Sequence, residues 1–299
     1  MKRRISIKWL FLPIPLGFFA IWAPYQLKVP QNFFPLEDAR PGEFRRIITL
    51  APSLTELVSS IGGEERIIGI TESCDYPPPI LDRPKVANFK NLHLEQIINL
   101  RPDLILAHDQ EFSNSKELKR LASMGIPVVL VPQPSLREIP TFIEQIGKLI
   151  GLEEEAKQRA YQFRKKLDAL QIRGSLIRPR VFIQLEHHPL YAAGEKSLVH
   201  ELVLLSGGEN ITSTLTPGIK YPRLSLESVV STNPEVILIP ITKNQSFEKM
   251  KKEWEGFPQL AAVKNNSICP IDASLLVRPG TRIFDGIEKI QRCFQGAQQ

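Results

Sequence analysis

One segment of this chain is written twice. Leu92-His93-Leu94-Glu95-Gln96-Ile97-Ile98-Asn99-Leu100-Arg101-Pro102-Asp103-Leu104-Ile105-Leu106 returns further on as Leu224-Ser225-Leu226-Glu227-Ser228-Val229-Val230-Ser231-Thr232-Asn233-Pro234-Glu235-Val236-Ile237-Leu238. A second pair keeps the same order: Glu56-Leu57-Val58 leading to Gly62-Gly63-Glu64 recurs as Glu201-Leu202-Val203 leading to Gly207-Gly208-Glu209. Two ordered matches predict two similarly built lobes. Ligand clefts commonly form between such units, so the functional site is sought there. At 299 residues the chain has room for two domains, each with its own core.

The first lobe opens on Arg46-Ile47-Ile48-Thr49-Leu50, an apolar run that reads as a buried strand. Ser53-Leu54-Thr55-Glu56 fits a capping box, with Leu57, Val58 and Ile61 on the inner helix face and Gly62-Gly63 as the stop. Ile67-Ile68-Gly69-Ile70 is a second strand, and the loop Cys74-Asp75-Tyr76-Pro77-Pro78-Pro79 after it cannot continue a sheet. The repeat helix over 94–100, a strand at 104–107, a helix at 116–124 and a strand at 128–131 follow. From 135 to 172 the pattern stays helical, broken at Pro140 and between Gly147 and Gly151. Its later part starts with Glu153, Glu154 and Glu155 and ends with Arg164, Lys165 and Lys166, an order that suits the helix dipole. The second lobe repeats the scheme from Arg180: strands at 180–185, 236–239 and 268–271, helices at 198–205, from 226, at 246–253 and at 281–294. Strands alternating with helices imply parallel sheets. The expected fold is therefore α/β: two Rossmann-like lobes joined by a long rigid backbone helix, with the cleft at the strand C-termini. The expected bounds are 1–30 leader, 31–44 linker, 45–134 first lobe, 135–177 connecting helices and 178–299 second lobe.

The leader is a targeting segment. Lys2, Arg3, Arg4 and Lys8 precede an apolar run from Trp9 to Ala23, about the length of a signal h-region and short for a membrane span. No clean cleavage site follows it, since Pro24 comes directly after Ala23, and no Cys stands there to accept a lipid. An exported domain is expected, released into the periplasm or held at the membrane by an uncleaved leader. Part of the net charge of +6 belongs to this leader, and the remaining charges are scattered with no basic stripe, so nucleic acid is not expected as a partner. Three cysteines are too few for a disulfide framework; Cys269 and Cys293 form one bridge with Cys74 left over, or all three are buried thiols.

Read in order, Ala51-Pro52-Ser53-Leu54-Thr55-Glu56-Leu57, Asp75-Tyr76-Pro77-Pro78, Leu94-Glu95-Gln96-Ile97, Arg101-Pro102-Asp103-Leu104-Ile105, Gly207-Gly208-Glu209-Asn210-Ile211 and Arg278-Pro279-Gly280-Thr281-Arg282-Ile283 resemble the helical-backbone (class III) periplasmic binding proteins. Within that class the chain is most similar to the vitamin B12 (cobalamin) binding proteins of ABC importers, from about Arg45 to Phe294. The resemblance implies a monomeric substrate-binding protein that captures cobalamin or a related corrinoid and hands it to a permease dimer with its ATPase. It also implies that Glu95 and Glu227 dock onto permease arginines; a carboxylate in the first turn of a helix is favoured by the dipole while it stays exposed to a guanidinium fork.

For the pocket, the resemblance points to Tyr76, Phe89, Tyr191 and Tyr221 as aromatic lining, with His108, Asp272 and Arg278 as further ligand contacts. Rigid aromatic side chains bury much area with little entropy loss, which suits a large ligand. The chain also departs from the family. His108 and Phe89 stand where the family has Trp, Ser206 replaces a Cys that the family bridges to the position of Cys293, and Ala273-Ser274-Leu275-Leu276 replaces aromatics after Asp272.

Glu186-His187-His188 follows a strand and invites a metal reading. Adjacent side chains on an extended chain point to opposite faces, however, so a single site needs ligands from elsewhere. His93, His108 and His200 are scattered, and no metal or cofactor is expected. No nucleophile elbow, phosphate loop or zinc signature supports an enzyme. The competing readings are a corrinoid-processing hydrolase built on Glu186, His187 and His188, and a binding protein for haem or an iron siderophore, for which Arg278 and Arg223 would supply a basic cluster.

Overall fold

The computed structural model describes residues 32–88, 91–171, 178–242 and 245–296. The leader expected over 1–30 lies outside them, and among the described residues no helix is long and apolar enough to cross a membrane.

In the first lobe β1 (Phe33–Pro35), β2 (Ile47–Thr49), β3 (Ile67–Thr71), β4 (Lys85–Ala87), β5 (Leu104–His108) and β6 (Val128–Val131) form one parallel sheet in the order β1-β6-β5-β2-β3-β4. Helices α1 (Pro52–Ser60), α2 (Leu94–Leu100), α3 (Asp109–Phe112) and α4 (Lys116–Ser123) make the connections. Two helices, α5 (Ile139–Ile150) and α6 (Glu153–Gln171), then lead to the second lobe. There β7 (Arg180–Glu186), β8 (Tyr191–Ala192), β9 (Glu209–Asn210), β10 (Val236–Ile241) and β11 (Ile268–Asp272) form a sheet in the order β11-β10-β7-β8, with β9 also on β7 and only β8 antiparallel. Helices α7 (Leu198–Leu205), α8 (Ile211–Leu215), α9 (Leu226–Thr232), α10 (Phe247–Glu255), α11 (Ala261–Lys264), α12 (Ser274–Val277) and α13 (Ile283–Gly296) complete it.

Two sheets, the first parallel and the second parallel but for β8, with helices on both faces are what the alternation of strands and helices implied. β5 and β6 are buried along their whole length, as strands covered on both faces must be, which is why they read as unbroken apolar runs. Residues 31–44 are not the linker expected from sequence: Phe33–Pro35 adds an edge strand on β6. Phe33 and Leu36 are buried, but the strand is three residues long, ends at Pro35 and is soon followed by exposed Glu37 and Asp38, so the segment carried no periodic signal.

The sequence repeat is a structural module. Both α2 and α9 stop on a left-handed residue, Arg101 at φ 48° and Asn233 at φ 47°, followed by Pro102 and Pro234. The acid after each proline turns back on the strand that opens its own lobe. Asp103 accepts the Arg46 backbone N–H (2.9 Å), and Glu235 accepts that of Arg180 (2.9 Å). Each arginine in turn donates its guanidinium to the end of the repeat helix, Arg46 to the carbonyls of Leu100 and Arg101 and Arg180 to that of Thr232. The orphan carbonyls of both helices are thereby satisfied by the same device.

One continuous apolar core runs from the inner face of the first sheet, through Phe142 and Ile146 of α5 and Phe163 of α6, to Val199, Leu276 and Ile287 of the second lobe. Smaller cores lie on the outer faces, around Ile105 and Leu121 in one lobe and Phe182 and Trp254 in the other. α6 is 19 residues long, about 28 Å at 1.5 Å per residue. Arg159 of α6 donates to the Ser60 carbonyl of the first lobe (2.9 Å), and Phe163 meets the Phe284 ring of the second edge-on (4.8 Å). At the turn between α5 and α6, Gly147 lets the helices touch: a Cβ there would stand 2.1 Å from the Ala156 Cβ.

Candidate functional site

The two lobes are joined across the cleft by charge. Arg278, after α12, donates Nη1 to Glu56 Oε1 of α1 (2.8 Å) and to Asp75 Oδ1 of the Pro-rich loop (2.6 Å), while Nη2 reaches the Ser73 carbonyl (3.4 Å). Four residues further along the same loop, Arg282 donates to the same Glu56 oxygen (3.0 Å) and to the Ser274 hydroxyl (3.1 Å), and its guanidinium stacks 4.2 Å above the Tyr76 ring. The Glu56 side chain is only 4 % exposed. Burial raises its pKa above the ordinary carboxylate value, and the two arginines draw it only partly back. Glu201, its counterpart in the repeat, also turns across the interface. It is half-buried with its pKa raised by burial, and it accepts the backbone N–H of Leu136 from the connector.

The capping box expected at Ser53–Glu56 is not made. α1 begins at Pro52 with its N-cap Ala51 offering no side chain, Ser53 bonds His108 Nε2 (2.8 Å), and Glu56 is committed to the clamp. Proline at the first helical position replaces the cap, because its missing N–H is one of the donors a cap would have served. Sequence reasoning passed over Glu56, Asp75 and Arg282 as site residues. Part of the signal was present, since Glu56 repeats as Glu201.

Three hollows line the cleft at the C-terminal ends of the strands. The largest, about 1120 Å³, lies in the first lobe beyond β2, β3, β4 and β5, walled by Ser73, Asn88, Asn91, Phe112, Asn114 and three glutamates. Beside the clamp, Asp75 faces Thr242, Asp272, Val277 and Arg278 across about 450 Å³. Between the connector and the second lobe, Gln133, Pro134 and Ser135 face Lys220, Tyr221 and Val277 across about 220 Å³.

Of the residues expected to line the cleft, Tyr221 is half-exposed in the third hollow with Lys220 Nζ over its ring (5.4 Å), and burial raises the pKa of its hydroxyl. Tyr191 is partly exposed on the neighbouring β8 and bridges to Arg223, while Tyr76 stands by the clamp. Asp272 borders the second hollow and accepts the Ser274 N–H (2.9 Å). Phe89 lies outside the described residues. Two expectations change. His108 is buried at the end of β5 with both ring nitrogens taken, by Ser53 and by the Val131 carbonyl (3.2 Å), so it offers a ligand no nitrogen. Arg278 lines the second hollow, but its guanidinium is bonded to two carboxylates.

The model of the periplasmic binding protein family matches residues 47–275, spanning both lobes and the connector. The chain belongs to this family. A vitamin B12-binding protein of Vibrio campbellii is 32% identical over 259 residues, covering 86% of this chain and 92% of that one. The crystal structure of the periplasmic vitamin B12 binding protein BtuF of Vibrio cholerae superposes with a TM-score of 0.71 at 29% identity, over 87% of this chain and 100% of that one. A possible iron-binding (periplasmic solute-binding) protein from Staphylococcus epidermidis superposes with a TM-score of 0.73, also at 29% identity, over 85% and 99%.

In this periplasmic binding protein Glu95 and Glu227 are exposed and occupy the first turns of α2 and α9. Only the second helix start is capped by a side chain, that of Ser225, which accepts the Ser228 N–H. Bonds from its own backbone N–H and from Ser225 hold the Glu227 carboxyl below the usual range.

His187, His188 and Glu253 bring one ligand atom each within 4.8 Å of one another. The hydrogen bonds around them read differently. The Trp254 indole N–H can only donate, so Gln184 Oε1 accepts it (2.6 Å), which turns the Gln184 NH₂ toward His187 Nδ1 (3.3 Å). Nδ1 is then the acceptor, and the neutral ring, favoured by burial, carries its proton on Nε2 facing Glu253. A metal on Nε2 would need Gln184 turned against Trp254. In the disulfide, Cys269 of β11 is joined to Cys293 of α13, and Cys74 is buried as a free thiol against the hydroxyls of Thr55 and Thr71. Ser206, where the family has its bridging Cys, bonds the Leu202 carbonyl instead (2.8 Å).

Proposed function

We propose that this binding protein captures cobalamin or a related corrinoid in the interlobe cleft and delivers it to the permease of an ABC importer, with no bond made or broken. The observation that carries this reading is the commitment of two cleft arginines: Arg278 and Arg282 are bonded to Glu56 and Asp75, so they offer little to an anionic chelate. What remains is an aromatic wall on the second lobe and a large amide-bearing hollow on the first, which suits an extended macrocycle fringed with neutral amides. At about 1120 Å³ the hollow slightly exceeds the roughly 300–1,000 Å³ usual for small-molecule sites. The vitamin B12-binding relatives at about 30% identity agree with it. Tyr76, Tyr191, Tyr221 and Phe89 would cover the faces of the ligand, and Asp272 would meet a side-chain amide. Glu95 and Glu227 would dock the protein, working outside the cytoplasm as a monomer, onto the permease dimer and its ATPase.

Calorimetric titration with cyanocobalamin, cobinamide, haem and a ferric siderophore tests the reading. Binding of at least one corrinoid in preference to both iron ligands is expected, with every ligand recovered unaltered. If neither corrinoid binds, or if haem binds more tightly than both, the reading is wrong.

A further inference from the structure

The chain carries a net +6, yet the large hollow of the first lobe is acidic. Glu72, Glu111 and Glu117 are all exposed on its wall, and Lys116 is the one cation among the described lining residues. Glu117 is held firmly ionised by its own backbone N–H and by the Ser115 hydroxyl (2.9 Å), which fix the carboxylate at the hollow's rim. Around these charges the wall is made of neutral hydrogen-bonding groups, including Asn91, Asn114 and Ser73. The other two hollows do not reverse the sign: Asp75 and Asp272 stand against Arg278 in one, and Glu138 and Glu201 against Lys196 and Lys220 in the other.

We infer that the first-lobe hollow selects its ligand by charge, accepting a macrocycle whose rim carries amides and rejecting one whose rim carries carboxylates. This rests on the corrinoid reading and narrows it. A neutral amide can both donate to the glutamates and accept from the asparagines, whereas a carboxylate on the ligand meets like charge in this hollow, and Arg278 and Arg282 are already bonded to Glu56 and Asp75. Discrimination by repulsion of the wrong ligand is how specificity is commonly reached when the two shapes are the same. Haem, with its propionates, and corrinoid acids fall on the rejected side; cobalamin and cobinamide fall on the accepted side.

The test compares one macrocycle in two forms. The full chain is titrated at pH 7 with dicyanocobinamide, whose side chains are amides, and with dicyanocobyrinic acid, whose side chains are carboxylates. The amide form is expected to bind about a hundredfold more tightly, on the order of 2.7 kcal/mol. Replacing all three carboxylates (Glu72→Gln, Glu111→Gln, Glu117→Gln) should shrink that gap to about tenfold, and raising the salt toward 1 M should shrink it in the unmodified protein. Glutamine keeps the side-chain shape at these exposed positions, and unchanged thermal unfolding of the triple variant confirms that it folds. Equal affinity for the two forms overturns the inference and leaves the corrinoid reading standing. A gap that persists in the triple variant overturns it too. Failure of both forms to bind overturns the corrinoid reading, and the inference falls with it.

Discussion

Replacing Arg278 by Met removes the charge that joins the lobes while keeping most of the apolar stem. The substitution strips one guanidinium from Glu56, whose side chain is 4 % exposed, and from Asp75, which is 29 % exposed. Breaking a fully buried pair costs about 3–5 kcal/mol, but here Arg282 keeps its bond to Glu56 and Asp75 can turn toward water. About 2 kcal/mol of lost stability at pH 7 is therefore expected, read as a shift in the midpoint of denaturant unfolding. The penalty must depend on pH, and its sign is fixed. Burial already holds the Glu56 pKa above its ordinary value of 4.5, so the group's stabilising contribution is full below that value and is lost as pH rises through the folded pKa. Without Arg278 the folded pKa climbs further, so the cost should be small near pH 4 and grow toward neutrality. In a Glu56→Gln background the same substitution should cost clearly less at pH 7, the difference being the coupling between the two side chains. A penalty of equal size at pH 4 and pH 7, or one unchanged by Glu56→Gln, would refute the clamp as drawn here.

Reversing both docking carboxylates (Glu95→Lys with Glu227→Lys) should leave ligand affinity unchanged and abolish delivery in a reconstituted importer, because neither side chain lines a described hollow; transport that survives sinks the docking assignment. Reducing the Cys269–Cys293 bridge, which spans 24 residues, should lower stability by about 3 kcal/mol through the loop it opens in the unfolded chain, checked by unfolding with and without reductant. Gly147→Ala should cost about 1–3 kcal/mol, since the new methyl meets the Ala156 Cβ and the Leu152 carbonyl together; a neutral result would mean that the helices of the connector can separate without cost.

The fold was legible wherever burial imposed a period. The runs of β2, β3, β5, β6 and β10 are almost wholly buried, β11 keeps Ile268 and Ile271 inside, and α4 and α13 keep apolar residues to one side, so sequence placed each of them to within a few residues. What escaped were the short edge strands β1, β4, β8 and β9, whose two or three residues are too few to show a period and which depend on a neighbour for pairing. The site was legible in a different way. The aromatic residues at its rim were marked by resemblance, but Glu56 looked like a local cap because its arginine partners are more than two hundred positions away. Local hydrogen-bonding grammar described a box that the fold does not use, since a tertiary charge pair outbid it for the same carboxylate. His108 was misplaced for a similar reason: its role depends on Ser53 and Val131, which only the folded sheet brings beside it.

The duplicated glutamates fall into two classes that the sequence does not distinguish. Glu56 and Glu201 lie on the first helix of their respective repeats and turn inward, where burial raises both pKa values; Glu56 bonds the second lobe and Glu201 the connector. Glu95 and Glu227 lie one module later and remain exposed. The inward pair is not treated symmetrically: Glu56 meets two guanidiniums, while Glu201 meets the Leu136 backbone N–H with Arg137 nearby. One side of the cleft is therefore held by bonds that depend on charge, and the other largely by the connector's own backbone. Movement of one lobe against the other would break the arginine side first, because a backbone amide on the connector cannot be withdrawn without moving the chain that carries it. The outward pair rides on helices that end in the same arginine-capped turn, so each exposed carboxylate is fixed to its own lobe.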